Sequence, residues 1–304
     1  MQNLLIVDPA TIVKGGSGSG NFGHAGRPGE VGGSAPAGSA PAGSDTDLQF
    51  PDAQELEQAE WFDISDNTSA ARIWKVTTRD GRNWFVKQPS LDFYKVDYEE
   101  IPNELSAYLI GKSLGLPVLP VDYVFAGTDF LEQKLDDNGQ PAILLSPWLD
   151  NCKTHYDTFR RAGGDDGRAM FPMADRVRFS LFDFIIKNAD RHESNLIFDE
   201  NGDPVLIDHG LSFNNRDDLA FGKPFYWEDA AGEKITESTM AWLADGIAKA
   251  KKQATPRTAF RVDFAERRLD TIRRVFDEMV ANGETTYWWD VRDRLGSLYN
   301  DSTT

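Results

Sequence analysis

The sequence contains a single cysteine, Cys152, among its 304 residues. One thiol cannot form an intrachain disulfide, and this cysteine usage is typical of a reducing compartment. The chain also lacks an apolar run of the length that a bilayer-spanning helix requires. The apolar residues 4–7 are too few for a signal-peptide core and have no basic start. We therefore expect a soluble protein without membrane insertion.

Basic residues are scarce, with 32 Lys and Arg against 49 Asp and Glu and a formal net charge of −17. Nucleic-acid binding requires a basic face, and docking on anionic membranes usually requires a polybasic segment. We therefore expect neither as the main partner. One basic cluster is interpreted as a solvated helix face, with a docking patch for an acidic substrate as the alternative: Lys249, Lys251, Lys252, Arg257 and Arg261.

Residues 1–48 consist largely of Gly, Ser, Ala and Pro. Such a composition cannot bury enough apolar surface to offset chain entropy, which predicts a disordered, flexible tail. Residues 18–23 match the pattern G-x-G-x-x-G, but no predicted strand flanks them, so we do not interpret them as a nucleotide loop. Residues 18–34 resemble a segment of phage head and virion-associated proteins. That resemblance implies a phage origin and virion association through the tail, whereas the alternative is a plain linker.

Two alternating segments, residues 71–77 and 83–87, flank an Asp-Gly turn. This pattern predicts a β-hairpin whose second strand ends at Lys87. The loop ahead of the hairpin carries Thr68 and Ser69 but no glycine. Its polar residues can donate hydrogen bonds to a ligand or simply form a turn or helix cap.

A helix is predicted over residues 103–115, where apolar residues recur at helical spacing after Pro102. Glu104 lies in its first turn. There it can form an ion pair with Lys87, although the helix dipole alone also favours an acid at this position. We favour the ion pair.

The remaining patterns outline an α+β chain. We predict a short acidic helix over residues 54–61, strands over residues 118–125 and 142–149, and a mostly buried helix over residues 173–187. Residues 237–298 have helical periodicity throughout.

The most informative stretch is residues 190–210. Asp190 is followed five positions later by Asn195, and two short apolar segments then flank a turn at residues 201–204 before Asp208. The Asn-Gly and Asp-Pro pairs of that turn predict a hairpin, which brings Asp208 back beside Asp190 and Asn195. Two carboxylates and an amide oxygen are ligands that suit Mg²⁺. The alternative is a polar loop and an ordinary hairpin in an unrelated α/β domain.

This order of residues resembles a kinase, in which a catalytic Asp precedes a metal-binding Asn and, one hairpin later, a metal-binding Asp. Residues 188–192 read Asn-Ala-Asp-Arg-His and residues 208–210 read Asp-His-Gly. In these details the chain is similar to the phosphatidylinositol 3-/4-kinase family, especially type II 4-kinases, and to bacterial HipA-like protein kinases. The resemblance implies a bilobal protein-kinase-like fold. A small β-rich N-lobe is expected over residues 49–149 and a larger helical C-lobe over residues 150–304.

The resemblance also implies roles for particular side chains. Lys87 would hold the α- and β-phosphates of ATP, with Glu104 orienting it, and Asp190 would accept the proton of the attacking hydroxyl. His192 would contact the γ-phosphate or have a packing role. Arg191 would stabilise the transferring charge or pair with a carboxylate, and we favour this structural role.

The expected cofactors are ATP and Mg²⁺, with Mn²⁺ as an alternative ion, and the expected metal ligands are Asn195 and Asp208. A hinge between the lobes would bind adenine. The nucleotide is therefore expected to contact Thr68, Ser69, Lys87, Ser146, Trp148 and Leu149.

These roles predict an ATP- and Mg²⁺-dependent phosphotransferase that acts on Ser or Thr of a protein. A phosphatidylinositol kinase, a catalytically silent virion-associated binding module and an enzyme that transfers AMP are the alternatives. The expected location is the cytoplasm of a bacterial host or the virion.

Overall fold

The computed structural model describes residues 48–65, 71–89, 99–125, 127–135, 141–154, 173–188, 190–213 and 232–301. The predicted tail up to residue 47 lies outside these ranges, and so do Thr68 and Ser69. Leu48, the last residue of the predicted tail, and Phe50 pack against the hydrophobic core of the N-terminal part.

The N-terminal part is built on a five-stranded antiparallel sheet. Its strands are β1 (Glu60–Asp63), β2 (Arg72–Thr77), β3 (Asn83–Gln88), β4 (Asp122–Phe125) and β5 (Ala142–Pro147). They lie in the order β1-β2-β3-β5-β4, so β3 is central and Lys87 faces Ile73 on one side and Leu144 on the other. The predicted hairpin of β2 and β3 is confirmed.

The prediction of a short helix over residues 54–61 is correct only for the first half of this range. Helix α1 (Ala53–Glu57) begins at a capping box between Asp52 and Glu55. It ends early because the following residues pair with β2 as strand β1, with Trp61 opposite Val76. Tertiary pairing thus outweighs the local helical pattern.

The two faces of the sheet are covered by different helices. One face is a closed core in which helix α1 and helix α3 (Asp129–Lys134) cover the buried side chains of Trp74, Val76, Trp84, Val86, Ile143 and Leu145. Because side chains alternate along a strand, Lys87 points to the opposite face from Val86. Helix α2 (Glu100–Ser113) covers this second face, where Ile101 packs against Leu144.

The C-terminal part is mainly helical and holds the largest core. Its helices are α4 (Met173–Ile185), α5 (Glu237–Gln253), α6 (Ala259–Ala281) and α7 (Trp288–Asp301), and its small antiparallel sheet consists of β6 (Lys153–Thr154), β7 (Leu196–Phe198) and β8 (Pro204–Leu206). The predicted hairpin after Asn195 is confirmed as β7 and β8. The α+β class with a sheet-rich N-terminal and a helical C-terminal part is also confirmed. Within the described ranges, every helix is too short or too polar to cross a bilayer.

Helix α2 belongs to both parts. Its Ala107 and Ile110, and Leu114 directly after it, pack in the large C-terminal core. The Trp242 indole of α5 donates a hydrogen bond of 2.8 Å to the Leu114 carbonyl. The chain turns back sharply after this helix, so that a Cβ on Gly111 would lie 2.5 Å from Cγ1 of Val118. Glycine at this position permits the close approach.

We expect Gly111→Ala to lower the free energy of unfolding by about 1 kcal/mol. Alanine gains about 1 kcal/mol in helix propensity, but overpacking against Val118 costs about 1–3 kcal/mol. In a Val118→Ala background the two closest methyl contacts are removed and only the Cβ at 3.2 Å remains, so the same substitution should cost less or become neutral. Urea denaturation of the four variants measures this, and an equal loss in both backgrounds would contradict the packing argument.

Candidate active site

Lys87 lies where the sheet, helix α2 and the end of the β7–β8 hairpin meet. Its Nζ is 2.5 Å from Oε1 of Glu100 and 3.5 Å from Oδ1 of Asp208. Burial by itself lowers the pKa of this ammonium, but the negative charges of Asp208, Glu100 and Glu104 outweigh burial and raise the pKa above its ordinary value. The lysine is therefore charged, and it faces the Asp208 carboxylate, whose pKa it lowers.

The contact with Lys87 that the sequence predicts for Glu104 is made instead by Glu100. Glu104 accepts a 2.9 Å hydrogen bond from the backbone N–H of His209, and its Oε2 lies 3.5 Å from the His209 ring. The two glutamates lie one turn apart on the same face of α2, so spacing alone could not choose between them. In the structure it is Glu100, in the first turn of α2, whose carboxylate contacts the Lys87 ammonium.

These carboxylates form a cluster with excess negative charge. Glu100, Glu104 and Asp208 each place an oxygen within 4.8 Å of the other two, beside the single ammonium of Lys87. Burial raises the pKa of Glu104 to about 7, and it also raises that of Glu100. Such a cluster favours an additional cation.

His209 lies behind this cluster as a neutral side chain. It is 3% exposed, and its ring packs edge-on against Phe182 with 5.6 Å between centroids. Burial lowers the pKa of His209 to about 3. The ring therefore adds no positive charge beside Asp208.

The loop before the hairpin presents Asp190 and Asn195. The Asp190 N–H donates to Oδ1 of Asn188 over 3.0 Å, and its carbonyl accepts from Nδ2 of Asn195 over 2.9 Å. Because the Asn195 nitrogen is used in this way, its Oδ1 is the atom that a cation would contact. Partial burial raises the pKa of the Asp190 carboxyl.

Arg191 joins this loop to the hairpin. Its Nε lies 3.1 Å from Oδ2 of Asp183 on α4, and both side chains are fully buried. Its Nη1 donates to two backbone carbonyls, those of Asn195 at 2.5 Å and Ile207 at 2.7 Å. The Ile207 N–H in turn donates to the Asn195 carbonyl. The hairpin thus returns the chain to Asn195 one residue before Asp208, and the structural role predicted for Arg191 is confirmed.

His192 borders the same site. Its Nδ1 accepts a hydrogen bond from the Ser194 N–H, so in the neutral ring the proton is on Nε2. That nitrogen lies 3.9 Å from Oδ2 of Asp190. The geometry places His192 beside Asp190, and its contact with a phosphate stays a prediction.

The predicted hinge residues lie at the end of β5. Ser146 is paired with Phe85 of β3. The Trp148 backbone N–H already donates to the Asn83 carbonyl over 3.1 Å, and Lys75 lies over the Trp148 ring. The backbone N–H of Trp148 is therefore engaged with β3, and the half-buried Leu149 follows it in the chain.

The predicted basic cluster is partly neutralised. Lys251 forms ion pairs with Asp263 and Glu266, and Arg261 is buried against Glu99. These two side chains therefore do not contribute to a docking patch.

Sequence reasoning missed Glu100 and Asp183. A signal for Asp183 exists, because an acid between Phe182 and Phe184 on a buried helix needs a cationic partner, and Arg191 follows eight positions later. No comparable signal separates Glu100 from Glu104.

Residues 135–237 match the family model described as phosphatidylinositol 3- and 4-kinase. The matched segment contains Asp190, Asn195 and Asp208, so this match supports the assignment of the chain as a kinase. No curated protein sequence matches the chain. The resemblances to HipA-like kinases and to phage virion proteins stay predictions from the sequence.

Three solved structures show distant likeness. The Golgi casein kinase is 16% identical, with 70% of each chain covered and a TM-score of 0.45. The Rio2 kinase–ADP/Mg²⁺-phosphoaspartate complex from Chaetomium thermophilum is 13% identical, covering 72% of this chain and 74% of that one, with a TM-score of 0.37. WaaP in complex with acyl carrier protein is 15% identical, covering 81% and 92%, with a TM-score of 0.36.

We expect Asp183→Ala to destabilise the fold by about 3–5 kcal/mol, because it leaves the buried Arg191 charge without its carboxylate. Asp277→Ala is the matched control, since it removes one of the two carboxylate partners of Arg273 at an exposed site on α6. The control should change stability by no more than about 1 kcal/mol. Chemical denaturation compares the two, and similar small losses in both would refute the importance of the buried pair.

Proposed function

We propose that this chain is an ATP- and Mg²⁺-dependent phosphotransferase of the HipA-like and phosphatidylinositol-kinase-like type, acting on Ser or Thr of a protein. The proposal rests on one observation: Nζ of Lys87, from the sheet, lies 3.5 Å from Oδ1 of Asp208, which follows the hairpin. Asp190 and Asn195 lie on the loop bonded to the same hairpin. Phosphoryl transfer asks a protein mainly for such positioning and charge compensation.

The donor set fits Mg²⁺. Asp208 offers a carboxylate of lowered pKa, and Asn195 has its amide nitrogen engaged and its oxygen available. Oxygen donors of this kind are those that Mg²⁺ prefers in phosphate-binding sites. When bound, the ion would neutralise the phosphate charge that an acidic protein otherwise repels.

The chain's own residues would divide the work as follows. Lys87 would bind the α- and β-phosphates, held in place by Glu100. Asp190 would orient the acceptor hydroxyl and take its proton as the acceptor oxygen bonds to the γ-phosphorus. The bond from that phosphorus to the β-γ bridging oxygen breaks, and ADP leaves. The raised pKa of Asp190 suits a general base.

The preference for a protein acceptor rests on charge. A net charge of −17 disfavours an anionic membrane surface, where phosphatidylinositol is found. The second candidate, a lipid kinase, is favoured by the family-model match over residues 135–237. The two candidates share the same site and differ only in the acceptor.

The purified chain should transfer label from ATP labelled at the γ-phosphate to protein Ser or Thr, and only when Mg²⁺ or Mn²⁺ is present. The assay includes protein acceptors and phosphatidylinositol vesicles in parallel. Labelled lipid alone would replace the protein proposal with the lipid one. Transfer from ATP labelled at the α-phosphate would show AMP transfer instead, and no nucleotide-dependent product or thermal shift would favour a silent binding module.

We expect Asp190→Asn to lower kcat by about 10²–10⁴-fold, since the amide can no longer accept the hydroxyl proton. Asp203→Asn is the matched control, because Asp203 is an exposed acid at the turn of the hairpin that follows the Asp190 loop. Steady-state kinetics on both variants measures the effect. A kcat for Asp190→Asn within a few-fold of the control would rule out the assigned role.

A further inference from the structure

The backbone around Asp208 is held by helix α2 and the loop that follows it. Leu206 donates its N–H to the Pro117 carbonyl and accepts from the Leu119 N–H, at 2.8 and 3.0 Å. The His209 N–H donates to Glu104, and the Gly210 carbonyl accepts from Nδ2 of Asn103 over 2.8 Å. Asp208 therefore lies in a segment that is hydrogen-bonded to the loop after α2 on one side and to α2 itself on the other.

Asp208 itself has a left-handed backbone, with φ of 54°. This conformation is uncommon for a non-glycine residue, although aspartate adopts it more readily than most. Gly210 adds a packing constraint, because a Cβ there would lie 2.7 Å from Cγ of Glu100. Contacts from α2 therefore constrain the backbone that directs the Asp208 carboxylate.

Asn103 connects this turn to helix α6. Its Nδ2 donates to Gly210, while its Oδ1 accepts from Nε of Arg261 over 2.5 Å. Nη2 of Arg261 also donates to Glu99 over 2.7 Å. A guanidinium can only donate and a carbonyl can only accept, so the amide orientation is determined. Asn103 and Arg261 are 4% and 9% exposed, so water does not replace either bond easily.

We propose that Asn103 and Arg261 form a latch that positions the Asp208 turn for metal and phosphate binding. The inference rests on the proposed function, and it assigns positioning roles to two residues that lie outside the candidate active site. The latch and the Trp242–Leu114 hydrogen bond attach both ends of α2 to the C-terminal helices. The positions of Glu100, which binds Lys87, and of Asp208 are then fixed relative to each other.

The test uses Asn103→Leu, Arg261→Gln and the double variant of the full chain. Arg273→Gln is the matched control, because Arg273 also lies on α6 and pairs with two acids, Glu237 and Asp277, but at the surface. Two quantities are measured: the Mg²⁺ concentration for half-maximal phosphotransfer, and amide hydrogen exchange over residues 206–213. The second measurement requires neither nucleotide nor activity.

Asn103→Leu should raise the half-saturating Mg²⁺ concentration and the exchange rate by about fivefold to tenfold, the factor that one buried hydrogen bond supports. Arg261→Gln should have a smaller effect in the same direction. The double variant should match Asn103→Leu alone, because both act through one contact. The control should match the wild type in both measurements.

Unchanged exchange over residues 206–213 in Asn103→Leu would overturn the latch. So would a lower melting temperature with an unchanged Mg²⁺ requirement, which is the result of a merely structural role. Failure of the proposed function gives a different result, namely no phosphotransfer by the wild type. In that case the exchange measurement still decides whether the latch exists.

Discussion

The arrangement of the site depends on one buried guanidinium. Arg191 pairs with Asp183 inside the C-terminal core and donates to the carbonyls of Asn195 and Ile207. Burying two charges is costly, and it is favourable only when hydrogen bonds satisfy the remaining donors. Here those bonds join a helix, the Asp190 loop and the end of a hairpin. The positions of these three elements relative to one another are thereby fixed.

Helix α2 is the second element on which the site depends. It covers the Lys87 face of the sheet through Ile101 and also packs in the large C-terminal core through Ile110. Three of its side chains then contact the site: Glu100 binds Lys87, Glu104 binds the His209 backbone, and Asn103 binds the Gly210 backbone. A helix shared by both cores can therefore hold a lysine and an aspartate from distant parts of the chain at 3.5 Å.

Local patterns predicted most of the architecture. Alternation and an Asp-Gly turn predicted β2 and β3, and Asn-Gly with Asp-Pro predicted the β7–β8 hairpin that brings the chain back to Asn195. Helical periodicity predicted α2, α4 and the three C-terminal helices. The short elements β1 and α3 were missed, because a few residues carry too little periodicity and their structure depends on pairing or packing with distant residues.

What the sequence by itself determined is the order of the chemical groups: Lys87 at a strand end, then Asp190, Asn195 and Asp208 around a hairpin. These relations are local, and turn chemistry and side-chain alternation are sufficient to produce them. Only the tertiary structure decided which partners these groups meet. Glu100 replaced Glu104 at Lys87, since the first turn of α2 packs on the Lys87 face of the sheet through Ile101. Asn103 meets Gly210 from 107 positions away, a contact that depends on how whole helices pack rather than on any sequence pattern.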